Sequence, residues 1–136
     1  MRRGPALAVD IVIRRNNGSV VLVRRRNNPF KGEWAIPGGF VEYGETVEAA
    51  ARREAKEETG LIVELIKIVG VYSDPNRDPR GHTVSICFLA REVGGELRGD
   101  SDAKDAKSFH PSSLPPRLAF DHERILMDAG VNRWEQ

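Results

Sequence analysis

The chain has a single cysteine, Cys87, and almost no net charge, +1 over 136 residues. One cysteine excludes an internal disulfide and fits a reducing cytoplasm. Because it lies in a strand-like run, a packed thiol is expected rather than a nucleophile. A balanced charge with scattered basic residues makes no case for a nucleic-acid or membrane partner; the densest cluster, Arg24-Arg25-Arg26, suits phosphate better than a polymer. No apolar run approaches a membrane-spanning length, and the opening MRRGPALAVDIVI passes into strand-like alternation without a cleavage site. Repeats, low-complexity tracts and interdomain linkers are absent too. With 40% hydrophobic and 30% charged residues, a single globular domain over 1–136 is expected.

Glycine and proline are also missing from one interior stretch, Thr46 to Thr59, which is rich in Glu, Ala, Arg and Lys. That composition predicts a helix, with Thr46 as N-cap and Gly60 as the glycine that ends it. At about 100° per residue, Val47, Ala50, Ala51, Glu54, Glu57 and Glu58 share one side, and Arg52 and Lys56 take the other. Carboxylates therefore continue the apolar stripe. Inward carboxylates repel and lose hydration, and Arg53, in reach of Glu45 or Glu42, offsets one of them. A hard divalent cation bound through oxygen neutralises the rest; a solvated acidic face laced by neighbouring cations is the plainer alternative. Just upstream, Trp34-Ala35-Ile36-Pro37 leads into Gly38-Gly39, a pair that lets backbone approach a ligand closely.

Around the helix, Ala6–Arg14 alternates, with Leu7, Val9, Ile11 and Ile13 on one face. Asn16-Asn17-Gly18 predicts a hairpin turn into a strand over Ser19–Arg26. Leu61–Tyr72 reads as a long strand with a bulge at Gly70, and His82–Glu92 as another, followed by a turn at Gly94-Gly95. Asp100–Lys107 is expected as acidic loop, Ser108–His110 as a short strand, and Phe120–Ala129 as a closing helix with Asp121 near its N-cap. The pattern is α+β, a mixed sheet with helices packed against it.

Gly39, Glu45 and the run Arg53-Glu54-Ala55-Lys56-Glu57-Glu58-Thr59-Gly60-Leu61 together resemble the signature of the Nudix hydrolases, with Ala55 where a larger aliphatic residue is common. The resemblance implies an α/β/α sandwich around a mixed sheet, with a loop–helix–loop motif at 39–61. It implies cleavage of a diphosphate linked to another group, by water, with Mg²⁺ or Mn²⁺. Under it, Glu54 and Glu58 are the main metal ligands, Glu57 and the Gly38 carbonyl further ones, and Arg53 orients the glutamates. The general base is open between Asp102, Asp105 and Glu57.

Substrate choice must come from outside the motif. The loop from Tyr72 to His82 offers Tyr72 for stacking, two prolines for rigidity, and Arg77, Arg80 and His82 as donors, unless it is merely a well-staked surface loop. Pro75, beside Asp74, falls about fifteen residues past the motif, where a proline marks ADP-ribose pyrophosphatases. SDPNRDPRGH and the later LAFDHERIL resemble the prokaryotic, notably archaeal, members. Arg26 and Trp34 are further candidates for phosphate or base, with a core role for Trp34 equally open. The expected reaction is ADP-ribose to AMP and ribose 5-phosphate, in a homodimer acting on a small nucleoside diphosphate. Two alternatives stand: a nucleoside-triphosphate pyrophosphohydrolase clearing oxidised dGTP, and a non-catalytic ADP-ribose sensor, which the intact Glu54 and Glu58 disfavour.

Overall fold

Nine residues of alternating, β-branched character, Ala6–Arg14, form the central strand β1. Its two faces are both buried. Val9, Ile11 and Ile13 join one core cluster and Val12 the other, all with no exposed surface. Leu7, expected with the inner set, is 39% exposed because it lies at the strand's outer end. In the computed structural model, residues 4–98 and 105–134 are described. β2 (Val20–Arg24) pairs with β1 across the Asn16-Asn17-Gly18 turn. It stops two residues short of expectation, leaving Arg25 and Arg26 outside the strand.

Further strands are β3 (Trp34–Ala35), β4 (Gly38–Phe40), β5 (Leu61–Tyr72), β6 (Thr83–Gly95) and β7 (Ala106–Phe109). They make one mixed sheet in the order β3-β2-β1-β6-β5, with β4 added to β1 and β7 to β2. β1 and β6 run parallel over their whole common length, and the other pairs are antiparallel. The bulge expected at Gly70 is a register shift between Ile68 and Gly70. Two expectations are corrected. Gly94-Gly95 is not a turn but the end of β6, because Leu61 and Ile62 leave the helix directly as strand and need partners there. Ala106 and Lys107 are not loop: they pair with Val23 and Leu22, which draws the preceding Asp105 to the sheet's edge.

Helix α1 (Val47–Thr59) begins at Thr46, whose hydroxyl accepts the Ala49 N–H at 3.0 Å, and ends at Gly60 with φ 85°. That capping closes both ends of the glutamate helix. Its buried face is alanine (Ala50, Ala51, Ala55), so the helix packs close against Val9, Ile11 and Ile13. On the opposite face, α2 (His122–Asp128) packs Ile125 and Leu126 against Val12, Leu22 and Cys87. Each fully buried aliphatic side chain contributes roughly 1.5–3 kcal/mol. The thiol of Cys87 is fully buried, and burial pushes its pKa up, so it is a packing group. Among the described residues no helix is long and apolar enough to cross a membrane.

Candidate active site

The cleft opens where β4, α1 and the loop 73–82 meet above β1. Close approach is possible because Gly38 and Gly39 have no side chains. A Cβ on Gly39 would lie 1.7 Å from Glu54 Oε2, and one on Gly38 would lie 2.3 Å from Asp10 Oδ1. The Gly38 N–H donates to Glu58 Oε1 at 2.9 Å. The helix register thus sets Glu54 and Glu58 against the glycine pair, while Glu57 turns outward, its side chain 59% exposed.

Arg53 braces this arrangement. Its Nε and Nη2 hold both oxygens of Glu45 at 2.7 and 2.9 Å, its Nη1 reaches Glu57 at 3.2 Å, and its Nη2 donates to the Phe40 carbonyl at 3.2 Å. Glu54 lies 3.6 Å away from the same guanidinium. A side-chain hydrogen bond from Arg53 is the main reason Glu45 falls to a pKa of about 2. The neighbouring glutamates move the other way. Burial raises Glu54 despite Arg53, with Glu57 and Glu45 adding repulsion. Glu58 is exposed as a residue, yet its carboxylate end is closely surrounded in the cleft. Burial, with Glu54 and Asp10 nearby, raises it to about 7 against the opposing Gly38 hydrogen bond. A bound cation would offset the burial and mutual repulsion that raise both carboxylates.

The fit to a divalent ion follows from these donors. Among the described residues no three carboxylate, thiol or imidazole groups already converge on one point. The pair Glu54 and Glu58 plus backbone oxygen is an all-oxygen half-shell, which suits a hard cation that keeps waters and substrate oxygens in its remaining positions.

The cleft floor holds residues that sequence reasoning missed. Asp10 is 8% exposed and accepts the Ser85 hydroxyl. His122 is buried, and burial lowers its pKa, so the ring is neutral. Its Nδ1 accepts the Ile36 N–H at 2.9 Å, which leaves the proton on Nε2, 3.7 Å from Asp10 Oδ1. Arg25, Phe40 and Phe120 line the same cleft. The one available signal was Asp10 itself, an acid in the middle of an apolar strand. Phe120 and His122 lie in the LAFDHERIL segment that the resemblance marked, but nothing there gave either residue a role, since each also suits a closing helix.

The expected substrate residues separate into groups. Arg80 enters the cleft, its guanidinium carbon 5.4 Å from the Phe40 ring and 5.7 Å from the Phe120 ring, and paired with Asp78 at 2.8 Å. Arg77 also borders it, but its side chain is 5% exposed and held by Asp121. Tyr72 and Asp74 lie on another groove, with the Tyr72 hydroxyl donating to Asp128 and Asp74 accepting the Asn76 N–H. Pro75 is exposed at the loop tip, and the His82 ring bonds the Ser73 carbonyl. Trp34 packs edge-on to Phe109 at 4.9 Å in the α2-side core, beneath Arg24. Arg26 and Arg24 hold Asp105 at 3.2 and 3.4 Å in a second cavity that Glu57 and Glu58 also line. Asp102 lies outside the described residues.

This combination of mixed sheet, capped glutamate helix and glycine pair is that of the NUDIX domain family, which matches residues 4–129; the chain belongs to it. Nudix hydrolases generally use a divalent metal. The chain is 55% identical to an ADP-ribose pyrophosphatase of Methanocaldococcus jannaschii, over 96% of this chain and 75% of that protein. It also superimposes on the NUDIX domain of Shewanella oneidensis NrtR complexed with ADP ribose, with TM-score 0.77 and 27% identity, covering 95% and 88% of the two chains. A bifunctional NMN adenylyltransferase/ADP ribose pyrophosphatase of Francisella tularensis, complexed with AMP and a manganese ion, gives TM-score 0.73 at 30% identity, over 93% of this chain and 41% of that one.

Proposed function

We propose that the chain hydrolyses the diphosphate bond of ADP-ribose to AMP and ribose 5-phosphate, using Mg²⁺ or Mn²⁺. The observation that carries this reading is one cleft with two unlike ends. At one end Glu54 and Glu58 press against Gly38-Gly39; at the other Arg80 lies against Phe40 and Phe120. The first end would suit a diphosphate neutralised by a divalent ion, and the second a flat, polar group such as a base. The 55% identity to an ADP-ribose pyrophosphatase supports the same substrate.

A bound divalent ion screens the diphosphate charge and acidifies a water nucleophile. The protein's part is placement. Glu54 and Glu58 would hold the ion, with the Gly38 carbonyl as a further oxygen and Glu57 as a ligand or water-mediated partner. Arg53 keeps the glutamates in register through Glu45. Arg25 and Arg80 meet the negative substrate and Arg77 borders the same cleft, whereas Arg26 lines the neighbouring cavity and Trp34, Tyr72, Asp74, Pro75 and His82 are not among the residues lining the cleft. Glu57 is the general base we favour: it lies beside the metal glutamates and is bonded through Oε1 to Arg53, whereas both oxygens of Asp105 are taken by arginines. Asp102 stays a candidate on sequence grounds. The reading also includes a homodimer in a reducing cytoplasm, and light scattering reads its mass directly.

The test offers ADP-ribose, NADH, diadenosine polyphosphate, dGTP and oxidised dGTP side by side with Mg²⁺, identifying products by mass. AMP from ADP-ribose, at a kcat/KM at least roughly tenfold above the others, is the expected result. Pyrophosphate released from a triphosphate in preference would overturn the substrate and keep the metal site. Tight ADP-ribose binding without turnover would instead make the domain a sensor.

A further inference from the structure

Three consecutive residues at the start of α2 reach three different walls of the cleft. His122 Nδ1 accepts the Ile36 N–H at 2.9 Å, two residues before the glycine that donates to Glu58. Asp121 takes Arg77 of the 73–82 loop in a two-point pair at 2.9 and 2.6 Å. Phe120, which precedes them, has φ 54° and lies edge-on to Phe30 at 4.8 Å, with Arg25 and Arg80 over its ring at 5.0 and 5.7 Å. A bulky aromatic in the left-handed region is rare and strained, so the surroundings must hold it there.

Asp121 sits at the N-cap position yet makes no capping bond. An aspartate there ordinarily caps the helix; this one is committed to Arg77, whose side chain is 5% exposed. A two-point pair on so buried a guanidinium is costly to break. The ring of His122 is equally committed, because a buried imidazole accepting a backbone N–H through Nδ1 has one orientation and one tautomer. The two loops are tied to adjacent residues of one short helix, which is anchored in the core by Ile125 and Leu126.

We propose that Phe120-Asp121-His122 is a positioning element that sets the separation of the two ends of the cleft, His122 holding the 34–39 glycine segment and Asp121 the 73–82 loop. It rests on the proposed function in taking these as the metal and substrate sides. None of the three needs to touch the reacting atoms. The helix works as a spacer, so that metal-held phosphate and recognised base are presented at a fixed distance.

Hydrogen exchange on the full, metal-free chain tests this without a ligand. Asp121→Asn should speed exchange roughly tenfold in 73–82 and leave 34–39 unchanged, the size expected for one lost hydrogen-bonded anchor. His122→Gln should do the reverse, since its carbonyl reaches where Nε2 lies. His122→Asn, whose oxygen falls near the Nδ1 position, should restore slow exchange at 34–39. Variants that loosen both segments alike, or neither, overturn the proposal, as does His122→Asn behaving like His122→Gln. Calorimetry with ADP-ribose in the absence of metal adds a second arm: Asp121→Asn should weaken binding roughly tenfold, and His122→Gln less than twofold. If the unmodified chain does not bind ADP-ribose with Mg²⁺ present either, the substrate reading fails, while the exchange pattern still decides the positioning role.

Discussion

Gly39 and Glu54 are in such close register that a single methyl group on the glycine would lie 1.7 Å from the carboxylate oxygen Oε2. Glu54 comes from α1 and Gly39 from β4, so helix and strand meet here as well as at the Gly38–Glu58 hydrogen bond. The atom in the way is the free end of a flexible side chain, which can swing aside. Gly39→Ala is therefore expected to fold and to lose metal affinity by roughly 10–100-fold, the usual range for disturbing a ligand's support. Manganese titration by electron paramagnetic resonance, beside a melting curve, separates the two effects. An unchanged titration would remove Glu54 from the ligand set.

The Glu58 carboxyl, raised to about 7, makes metal affinity and stability depend on pH in opposite senses. A proton on Glu58 competes with the ion, so affinity rises from pH 6 to pH 8. For the metal-free chain the folded state binds more protons than the unfolded one between the ordinary glutamate pKa of 4.5 and about 7. Stability from this group is therefore greatest at the acid end and declines as pH rises through that window. Glu58→Gln should flatten both slopes and lower turnover by orders of magnitude. Chemical denaturation at several pH values, with a chelator present, shows whether the slope vanishes in the variant.

Arg53 holds Glu45 through two nitrogens and also reaches Glu57 and the Phe40 carbonyl. A lysine keeps the charge but not the fork. Arg53→Lys should lower kcat roughly 10–100-fold with little change in KM, because the loss falls on the orientation of glutamates rather than on substrate contacts. A rise in KM alone would place Arg53 on the substrate instead.

Arg80 is the loop arginine that enters the cleft, against Phe40 and Phe120. Arg80→Ala should raise KM for ADP-ribose roughly tenfold and affect a simple nucleoside triphosphate far less. Equal effects on both substrates would take the loop out of the specificity argument.

Local chemistry carried much of this protein's design. The helix over Val47–Thr59 was legible from its composition, its Thr46 cap and its Gly60 stop, because capping and propensity act within a few residues. Strand alternation, the Asn-Gly hairpin and the Gly70 irregularity are equally local, and so is the spacing of Glu54 and Glu58 on one helix face. Tertiary structure alone decided what those residues meet. That Asp10 of β1, Ile36 of the glycine segment and His122 of α2 share one floor depends on a parallel β1–β6 pairing and on packing of α2 across the sheet. It also decided that Arg77 is held by Asp121 while Arg80 faces the cleft, although both stand in the same loop with similar chemistry. Arg80 pairs with Asp78 two residues away, but Asp121 stands 44 residues from Arg77, and no short window of sequence contains that partner.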